Sequence, residues 1–591
     1  YMTAYSRLEE TRPWEQNMQA RPWLYQTPMD ILIKASNGAS DFGNKFGQPL
    51  ICGSVLTFEH DENSDAVQSA NEEYKLRKLG YDKVIMQAGG IGYGKADQAL
   101  KDTPKEGDKI VILGGENYRI GMGGAAVSSA DTGEFASGIE LNAVQRSNPE
   151  MQKRAANAIR GMVESDENHI VSIHDHGAGG HLNCLSELVE DTGGKIDLDK
   201  LPVGDPTLSA KEIIGNESQE RMGLVIAEKH LETLNRIAER ERSPMYTVGD
   251  VTGNHRFTFE SKTKGDKPMD LALEDMFGSS PKTIMTDKTV HRIFKDLSYN
   301  SKNILDYLDQ VLQLEAVACK DWLTNKVDRC VGGKVAKQQC AGPLQLPLNN
   351  CGVMALDYKG KEGIATSVGH APISGLISPK AGSRNAIAEA LTNVVWAPLK
   401  DGLKSVSLSA NWMWPCKNEG EDARLYEAVE AVSQFAIELG INVPTGKDSL
   451  SMKQKYPNEE VISPGTVIIS AAANCNDIHK VVEPVFQKTE TSGTGTIYYI
   501  NLSQDQFKLG GSSFAQVLNK IGNDTPSIKD ALQFKNTFNT IQQLIKEDKI
   551  VAGHDVASGG LITTLLEMCF ADVNLGAELD LTELAEKDSV K

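Results

Sequence analysis

A chain of 591 residues is about four times the size of one ordinary folding unit, so several domains are expected and a single small module is excluded. With 61 Lys and Arg against 80 Asp and Glu the formal charge is −19, which argues against a surface built to grip nucleic-acid phosphates or anionic lipid. Hydrophobic residues at 40% and charged residues at 24% suit a water-soluble globular protein, and no apolar run approaches the ~20 residues of a membrane span.

The opening Tyr1-Met2-Thr3-Ala4-Tyr5 has no basic stretch followed by an apolar core, so a cytoplasmic location is expected. The nine Cys are scattered, and Cys330, Cys340 and Cys351 lack the paired spacing of a zinc site. In chain order, Phe46-Gly47 through Gly53 and the apolar Val84-Ile85-Met86-Gln87-Ala88 come first. Lys109-Ile110-Val111-Ile112-Leu113 then reads as a strand, followed by Met122-Gly123-Gly124-Ala125. A polar run, Val144-Gln145-Arg146-Ser147-Asn148-Pro149-Glu150, precedes the strand His169-Ile170-Val171-Ser172-Ile173, which leads into His174-Asp175-His176-Gly177-Ala178-Gly179-Gly180-His181. A second polar run is Asn216-Glu217-Ser218-Gln219-Glu220-Arg221-Met222. Each polar run suits either a capped helix start or a site for a polar substrate. Residues 261–296 are polar and read as linker, with a short helix around Leu271 to Met276. From Ala386 to Val395 the periodicity is helical, and Glu389 and Asn393, four apart, project together. They form either a hard-oxygen pair for Mg²⁺ or an incidental solvated pair.

The chain then repeats itself. Gly553-His554-Asp555-Val556-Ala557-Ser558-Gly559-Gly560-Leu561 returns the earlier turn at 554 − 174 = 380 residues, and Glu187 returns as Glu567 at the same offset. Ile497-Tyr498-Tyr499-Ile500 with Leu509-Gly510-Gly511-Ser512 resembles the strand at Lys109 with its Gly pair. Val467 to Ala471 matches Val84 to Ala88, and Leu439-Gly440 through Gly446 matches Phe46-Gly47 through Gly53. A period of 380 to 390 residues is domain duplication rather than a solenoid. The expected order is A1 at residues 1–104 with its front missing, B1 at 105–260, a linker at 261–313, A2 at 314–487, and B2 at 488–591, cut short. On this reading the chain is the middle of a larger protein. Asp175 and Asp555, each at a strand end before a Gly-Gly helix start, either cap their helices or bind Mg²⁺ beside an anion held at the helix N-terminus.

Together with Ala88-Gly89-Gly90-Ile91-Gly92, Leu408-Ser409-Ala410-Asn411-Trp412-Met413 and Pro444-Thr445-Gly446-Lys447-Asp448-Ser449, the two polar runs resemble, in family order and end to end, the large-form phosphoribosylformylglycinamidine synthase family. The resemblance implies an α+β fold of duplicated aminoimidazole-ribonucleotide-synthetase-like A-B units, the A units forming a central barrel-like pseudo-dimer with B units of mixed sheet and helices flanking it. It implies ATP-dependent amidation of formylglycinamide ribonucleotide, with ATP/ADP and Mg²⁺ as cofactors. Ammonia would come from a glutaminase domain absent from this chain, and no nucleic acid or membrane would be involved. It implies that Gln145, Glu217, Ser218, Gln219 and Ser449 contact substrate, that Asp175 ligates a catalytic metal, and that Gly446 and catalytic Lys447 reach into the same site. A second, structural nucleotide would be held by Cys52, Gly53, Ser54, Lys320, Asn349 and the position of Ala557, with Asn350, Glu389, Asn393 and Asp555 around its metals. Two residues depart from the family pattern: Asn350 stands where it has an aspartate, and Ala557 where it has a serine. A rival expectation is that this chain is a catalytically silent nucleotide-holding scaffold.

Overall fold

The computed structural model describes residues 1–591 except 17–20, 22–25, 66–67, 70–73, 146–147, 325–327, 489–494, 506, 583 and 585–591. The chain divides into two compact units, one of Gly92–Ile284 and one of Tyr1–Ile91 with Met285–Lys591. Among the described residues no helix is long and apolar enough to cross a membrane.

The Gly92–Ile284 unit is built on a seven-stranded mixed sheet, ordered Asp266–Ala272, Arg256–Ser261, Gly194–Asp197, Met245–Val251, Lys109–Leu113, Met222–Ile226, Ile170–Asp175. Lys109–Leu113 is apolar at four successive positions because both its faces are covered. Side chains alternate across a strand. Ile110 and Ile112 therefore enter one core with Leu185, Leu188 and Phe257, while Val111 and Leu113 enter another with Ala155, Met162 and Leu234. The second core is roofed by helices Pro149–Val163 and Leu231–Arg240. The former begins with Pro149 in its first turn and with the Asn148 side chain accepting the Met151 N–H at 3.1 Å.

The polar stretch read as linker starts inside this sheet. Asp266–Ala272 pairs antiparallel with Arg256–Ser261 as the edge strand, followed by the short helix Leu273–Phe277. An edge strand with one wetted side tolerates the Lys and Asp that made the segment look unstructured.

The other unit holds a six-stranded sheet, ordered Val335–Lys337, Gly352–Ala355, Gly363–His370, Thr466–Cys475, Ser407–Met413, Asn442–Ser449. Helices Pro379–Val394 and Glu421–Leu439 pack on it through Ile387, Leu391, Val432 and Phe435. A Cβ at Gly369 would lie 2.2 Å from the Ala386 carbonyl oxygen, so glycine is what lets the first helix settle on its strand. The duplication is visible in detail. Helices Pro28–Phe46 and Glu421–Leu439 are both 19 residues long and both end at a left-handed glycine, Gly47 (φ 73°) and Gly440 (φ 76°). Each joins a parallel strand pair, Met2–Ala4 with Val55–Thr57 and Ser407–Met413 with Asn442–Ser449. The repeats also meet directly in a four-stranded sheet, where Val461 and Ile462 pair in parallel with Lys78 and Leu79.

The second B segment departs from the first. Among the described residues no strand follows Cys475, so Ile497 to Ile500 is not the strand its apolar sequence predicts. In the first copy the matching strand Lys109–Leu113 lies between Met222–Ile226 and Met245–Val251. What is present are helices Ser513–Val517, Ala531–Lys546 and Gly560–Phe570.

Candidate active site and nucleotide site

The first candidate site belongs to the Gly92–Ile284 unit. Strand Ile170–Asp175 ends at the His-Asp turn, and Gly179 (φ 77°) starts helix Gly180–Glu187. The loop Asn216–Arg221 precedes the neighbouring strand Met222–Ile226, so the two lie side by side, joined by Ser218 N–H to the His176 carbonyl at 3.1 Å. Glu217 is buried, and its carboxylate gathers three donors. The Ala125 N–H (3.1 Å) and Gly179 N–H (3.2 Å) reach Oε1, and Gln145 Nε2 reaches Oε2 at 3.4 Å. One carboxylate thus ties together the Gly-Gly segment, the His-Asp turn and the first polar run. Ser218 is buried and donates to Glu220, whereas Gln219 is exposed. Asp175 is exposed, with Oδ1 3.5 Å from His174 Nδ1, and His174 Nε2 pairs with Glu187. Arg146 and Ser147 of the first polar run lie outside the described residues.

The second candidate site belongs to the other unit. Glu389 and Asn393, one turn apart on helix Pro379–Val394, face Asp555: Asn393 Nδ2 lies 2.8 Å from the Glu389 carbonyl oxygen and 3.5 Å from Asp555 Oδ2. Burial first, and the Asp555 charge second, push the Glu389 carboxyl well above its ordinary range. His554 Nε2 bonds Glu567 at 2.8 Å and its Nδ1 lies 3.3 Å from Asp555 Oδ1. Burial opposes its charge, but Asp555 and Glu567 outweigh it and push the imidazole up to about 9. Asn350 is fully used as a spacer, its Oδ1 2.5 Å from His554 Nδ1 and its Nδ2 donating to the Gly553 carbonyl at 3.0 Å. Asn349 closes its own loop, donating to the Gln338 and Cys340 carbonyls at 2.8 and 3.0 Å. Lys320 donates to the Ala318 carbonyl at 2.9 Å, and burial pulls its ammonium below the ordinary lysine range, with Glu567 opposing.

Among the described residues no three His, Cys, Asp or Glu side chains gather as a ready metal cage. Glu389 and Asp555 supply two hard carboxylates that repel each other, a donor set that fits Mg²⁺ sharing its remaining positions with phosphate oxygens and water.

Cys52, Gly53 and Ser54 precede strand Val55–Thr57. Ser54 Oγ is 2.6 Å from His370 Nε2, Cys52 is held above the ordinary thiol range by burial, and a Cβ at Gly53 would meet nothing within 4 Å. Its repeat partner Gly446 is different, because a Cβ there would lie 1.9 Å from the Ala410 carbonyl oxygen. That glycine is required by its own sheet. Gly446 and Lys447 lie on the exposed strand Asn442–Ser449, along a groove of about 760 Å³ that Val429, Ala436 and Ile437 line opposite. Ser449, half-buried, ends that strand, and Ala557 accepts the Gly560 N–H at 3.1 Å.

Sequence reasoning marked Glu187 and Glu567 as matching acids without a task; in both copies the acid is the partner of the turn histidine. It took Asn216 and Arg221 only as part of the second polar run and missed Asn117. The Asn216 side chain holds the Tyr118 and Ile120 carbonyls at 2.8 Å each, and buried Arg221 binds Asn117 and the Asn216 carbonyl. The contacts of Asn216 with Tyr118 and Ile120, and of Arg221 with Asn117, span about a hundred residues, so no local pattern announces them.

A family model described as the FGAR-AT PurM_N-like domain matches residues 319–474. Another, AIR synthase related protein, C-terminal domain, matches twice, at 105–262 and 500–590, as a duplication requires. The phosphoribosylformylglycinamidine synthase of Dictyostelium discoideum is 40% identical over 596 residues, covering 98% of this chain and 43% of its own length. That of Homo sapiens is 39% identical over 587 residues, covering 96% and 43%. The chain thus spans about two fifths of the length of the curated relatives it matches. Two solved structures share the fold: T. maritima PurL complexed with FGAR (TM-score 0.57, 18% identity, 90% of this chain and 73% of that one) and the same protein complexed with ATP (TM-score 0.56, 18% identity, 90% and 72%). The fold is therefore of the PurL and AIR-synthase type, mixed α+β with several mixed sheets, and the chain belongs to the phosphoribosylformylglycinamidine synthase family.

Proposed function

We propose that this chain is the synthetase core of an enzyme that amidates formylglycinamide ribonucleotide, consuming ATP and, in the longer protein, glutamine-derived ammonia for de novo purine biosynthesis. The observation that carries the reading is the Glu217 carboxylate, which draws Gln145, the Gly-Gly segment and the His-Asp turn into one polar wall. Conversion of a formamide to an amidine needs the carbonyl oxygen turned into a leaving group. ATP supplies the phosphoryl group for that, and the protein's share is positioning and compensation of charge. On this reading Gln145, Ser218, exposed Gln219 and Ser449 orient the substrate, Lys447 compensates phosphoryl charge, and Asp175 holds Mg²⁺. Mg²⁺, when bound, would neutralise charge developing on the phosphate oxygens.

The Glu389, Asn393 and Asp555 cluster, with Cys52, Gly53, Ser54 and Lys320, would hold a second, structural nucleotide. Asn350 would act through His554 rather than as a ligand, and Asn349 by shaping its loop. We further read residues 1–104 and 314–487 as A units forming a barrel-like pseudo-dimer, with 105–260 and 488–591 as B units in a cytoplasmic enzyme. The test is turnover of formylglycinamide ribonucleotide with ATP and ammonium chloride, with and without Mg²⁺, followed by ADP release. Nucleotide retained without any turnover would instead favour the silent scaffold.

A further inference from the structure

Beneath the Asn216–Arg221 loop lies a buried polar relay that the candidate chemistry does not use. His176 Nε2 and His181 Nδ1 are 2.9 Å apart, and both rings are completely buried. His181 Nε2 meets the Asn117 side-chain amide at 3.1 Å. That amide is fixed in orientation: its Nδ2 donates to the Pro202 carbonyl at 2.6 Å, and its Oδ1 accepts from Arg221. Arg221, also completely buried, donates onward to the Asn216 carbonyl at 2.6 Å and to Asn216 Oδ1 at 3.0 Å. The relay therefore starts one residue after Asp175 and ends on the residue before Glu217. Backbone bonds close the circuit, from His176 N–H to the Arg221 carbonyl at 3.3 Å and from Ser218 N–H to the His176 carbonyl at 3.1 Å.

We propose that His176 and His181, with Asn117 and Arg221, are positioning residues that set the geometry of the Glu217–Ser218 loop against the His-Asp turn. Packing alone does not account for them. A buried imidazole pair costs desolvation, and His176 Nδ1 has no hydrogen-bond partner among the described residues. The second copy buries no such pair: 380 residues on, the same two positions are Val556, which is exposed, and Leu561, which is half-buried. With both rings completely buried and linked through the Asn117 amide to the Arg221 guanidinium, the relay is a set of directional hydrogen bonds ending on one fixed cation. Such a network specifies one arrangement where an apolar pair permits several. The proposal rests on the function above only in naming the substrate that the loop serves.

The test is the variant carrying His176→Val and His181→Leu, the residues of the second copy. Hydrogen exchange at the Ser218 and Arg221 amides should quicken about tenfold, the worth of one buried hydrogen bond, while Leu224 and Val225 in the adjacent strand stay unchanged. Calorimetric affinity for formylglycinamide ribonucleotide should weaken by a similar factor, and His181→Gln, which keeps a donor and an acceptor, should restore most of both. If the double variant does not fold, His181→Leu against His181→Gln gives the same comparison. Unchanged loop exchange overturns the proposal, and so does a loosened loop with unchanged affinity. A wild-type chain that binds no formylglycinamide ribonucleotide defeats the proposed function, while loop exchange still decides the relay.

Discussion

The two turns share His, Asp and a Gly pair but keep different company. At the first, Asp175 ends a paired strand, is exposed, and stands beside a loop held by Glu217. At the second, no strand among the described residues supports the turn, Asp555 is buried, and Glu389 and Asn393 of another helix face it. The first turn leaves its carboxylate exposed, and the second buries it in a charged cluster in which Asn350 and His554 also take part. The shared Gly pair keeps a left-handed glycine at the start of each helix, Gly179 (φ 77°) and Gly559 (φ 90°), while the elements packed around the two turns differ.

The largest expected effect falls on the first turn. Glu217→Ala removes a buried acceptor and strands the Ala125 and Gly179 N–H groups, so turnover should fall by about a thousandfold, with Glu217→Gln falling less because one acceptor oxygen survives. Near-normal turnover in the alanine variant, measured by ADP release, would place the active site elsewhere. Next in size is ligand linkage at the second turn. A nucleotide held by Glu389, Asn393 and Asp555 adds about 4 kcal/mol at a thousandfold excess over Kd. Asp555→Ala should therefore release nucleotide and melt several degrees lower, while Asp175→Ala retains it. Chromatography of the denatured supernatants, beside melting curves, reads both; equal retention in the two variants would erase the proposed division of tasks.

A third comparison uses pH. His554 is pushed from an ordinary value near 6.5 up to about 9, so the folded state holds its proton more tightly than the unfolded chain. The resulting stability is complete below pH 6.5 and is lost as pH rises through about 9, amounting to about 3 kcal/mol. Urea denaturation of nucleotide-free protein at pH 6, 7.5 and 9.5 should show this decline in wild type and a flatter profile in His554→Gln. A profile of the same slope in both would mean that Asp555 and Glu567 do not hold the imidazolium.

Much of this was legible without coordinates because duplication supplies its own comparison. The 380-residue offset exposed both turns and both acids, and the helical period around Glu389 is realised in Pro379–Val394. Strand Lys109–Leu113 could be read because burial on both faces leaves an unbroken apolar run. The failures have equally physical causes. Asp266–Ala272 hides as a strand because only an edge position lets Asp266, Lys267 and Asp270 stay wet. Ile497 to Ile500 has a strand's composition but pairs with no strand among the described residues. The relay of His176, His181, Asn117 and Arg221 is assembled from three separate segments, and no periodicity announces contacts between residues 117, 181 and 221.

The smallest expected effect is also the most direct comparison, since it makes one substitution at equivalent places. Glu187 and Glu567 each bind the Nε2 of their turn histidine, but the first pair is 29% and 25% exposed whereas the second is 19% and 9% exposed. Water screens the first pair, and ion pairs so exposed contribute well under about 1 kcal/mol. In the second, the histidine is also flanked by Asp555 Oδ1 at 3.3 Å and Asn350 Oδ1 at 2.5 Å, so removing Glu567 leaves a buried cation one partner short. Glutamine keeps an oxygen for the histidine proton in both variants, so the difference isolates charge from hydrogen bonding. Glu567→Gln should cost about 1 to 2 kcal/mol and Glu187→Gln no more than about 0.5 kcal/mol. Hydrogen exchange in helix Gly560–Phe570 of one variant and helix Gly180–Glu187 of the other measures each loss where it occurs, without treating two compact units as one transition. Equal losses would show that the surroundings do not separate the two turns, and the contrast would then have to rest on Glu389 and Glu217 alone.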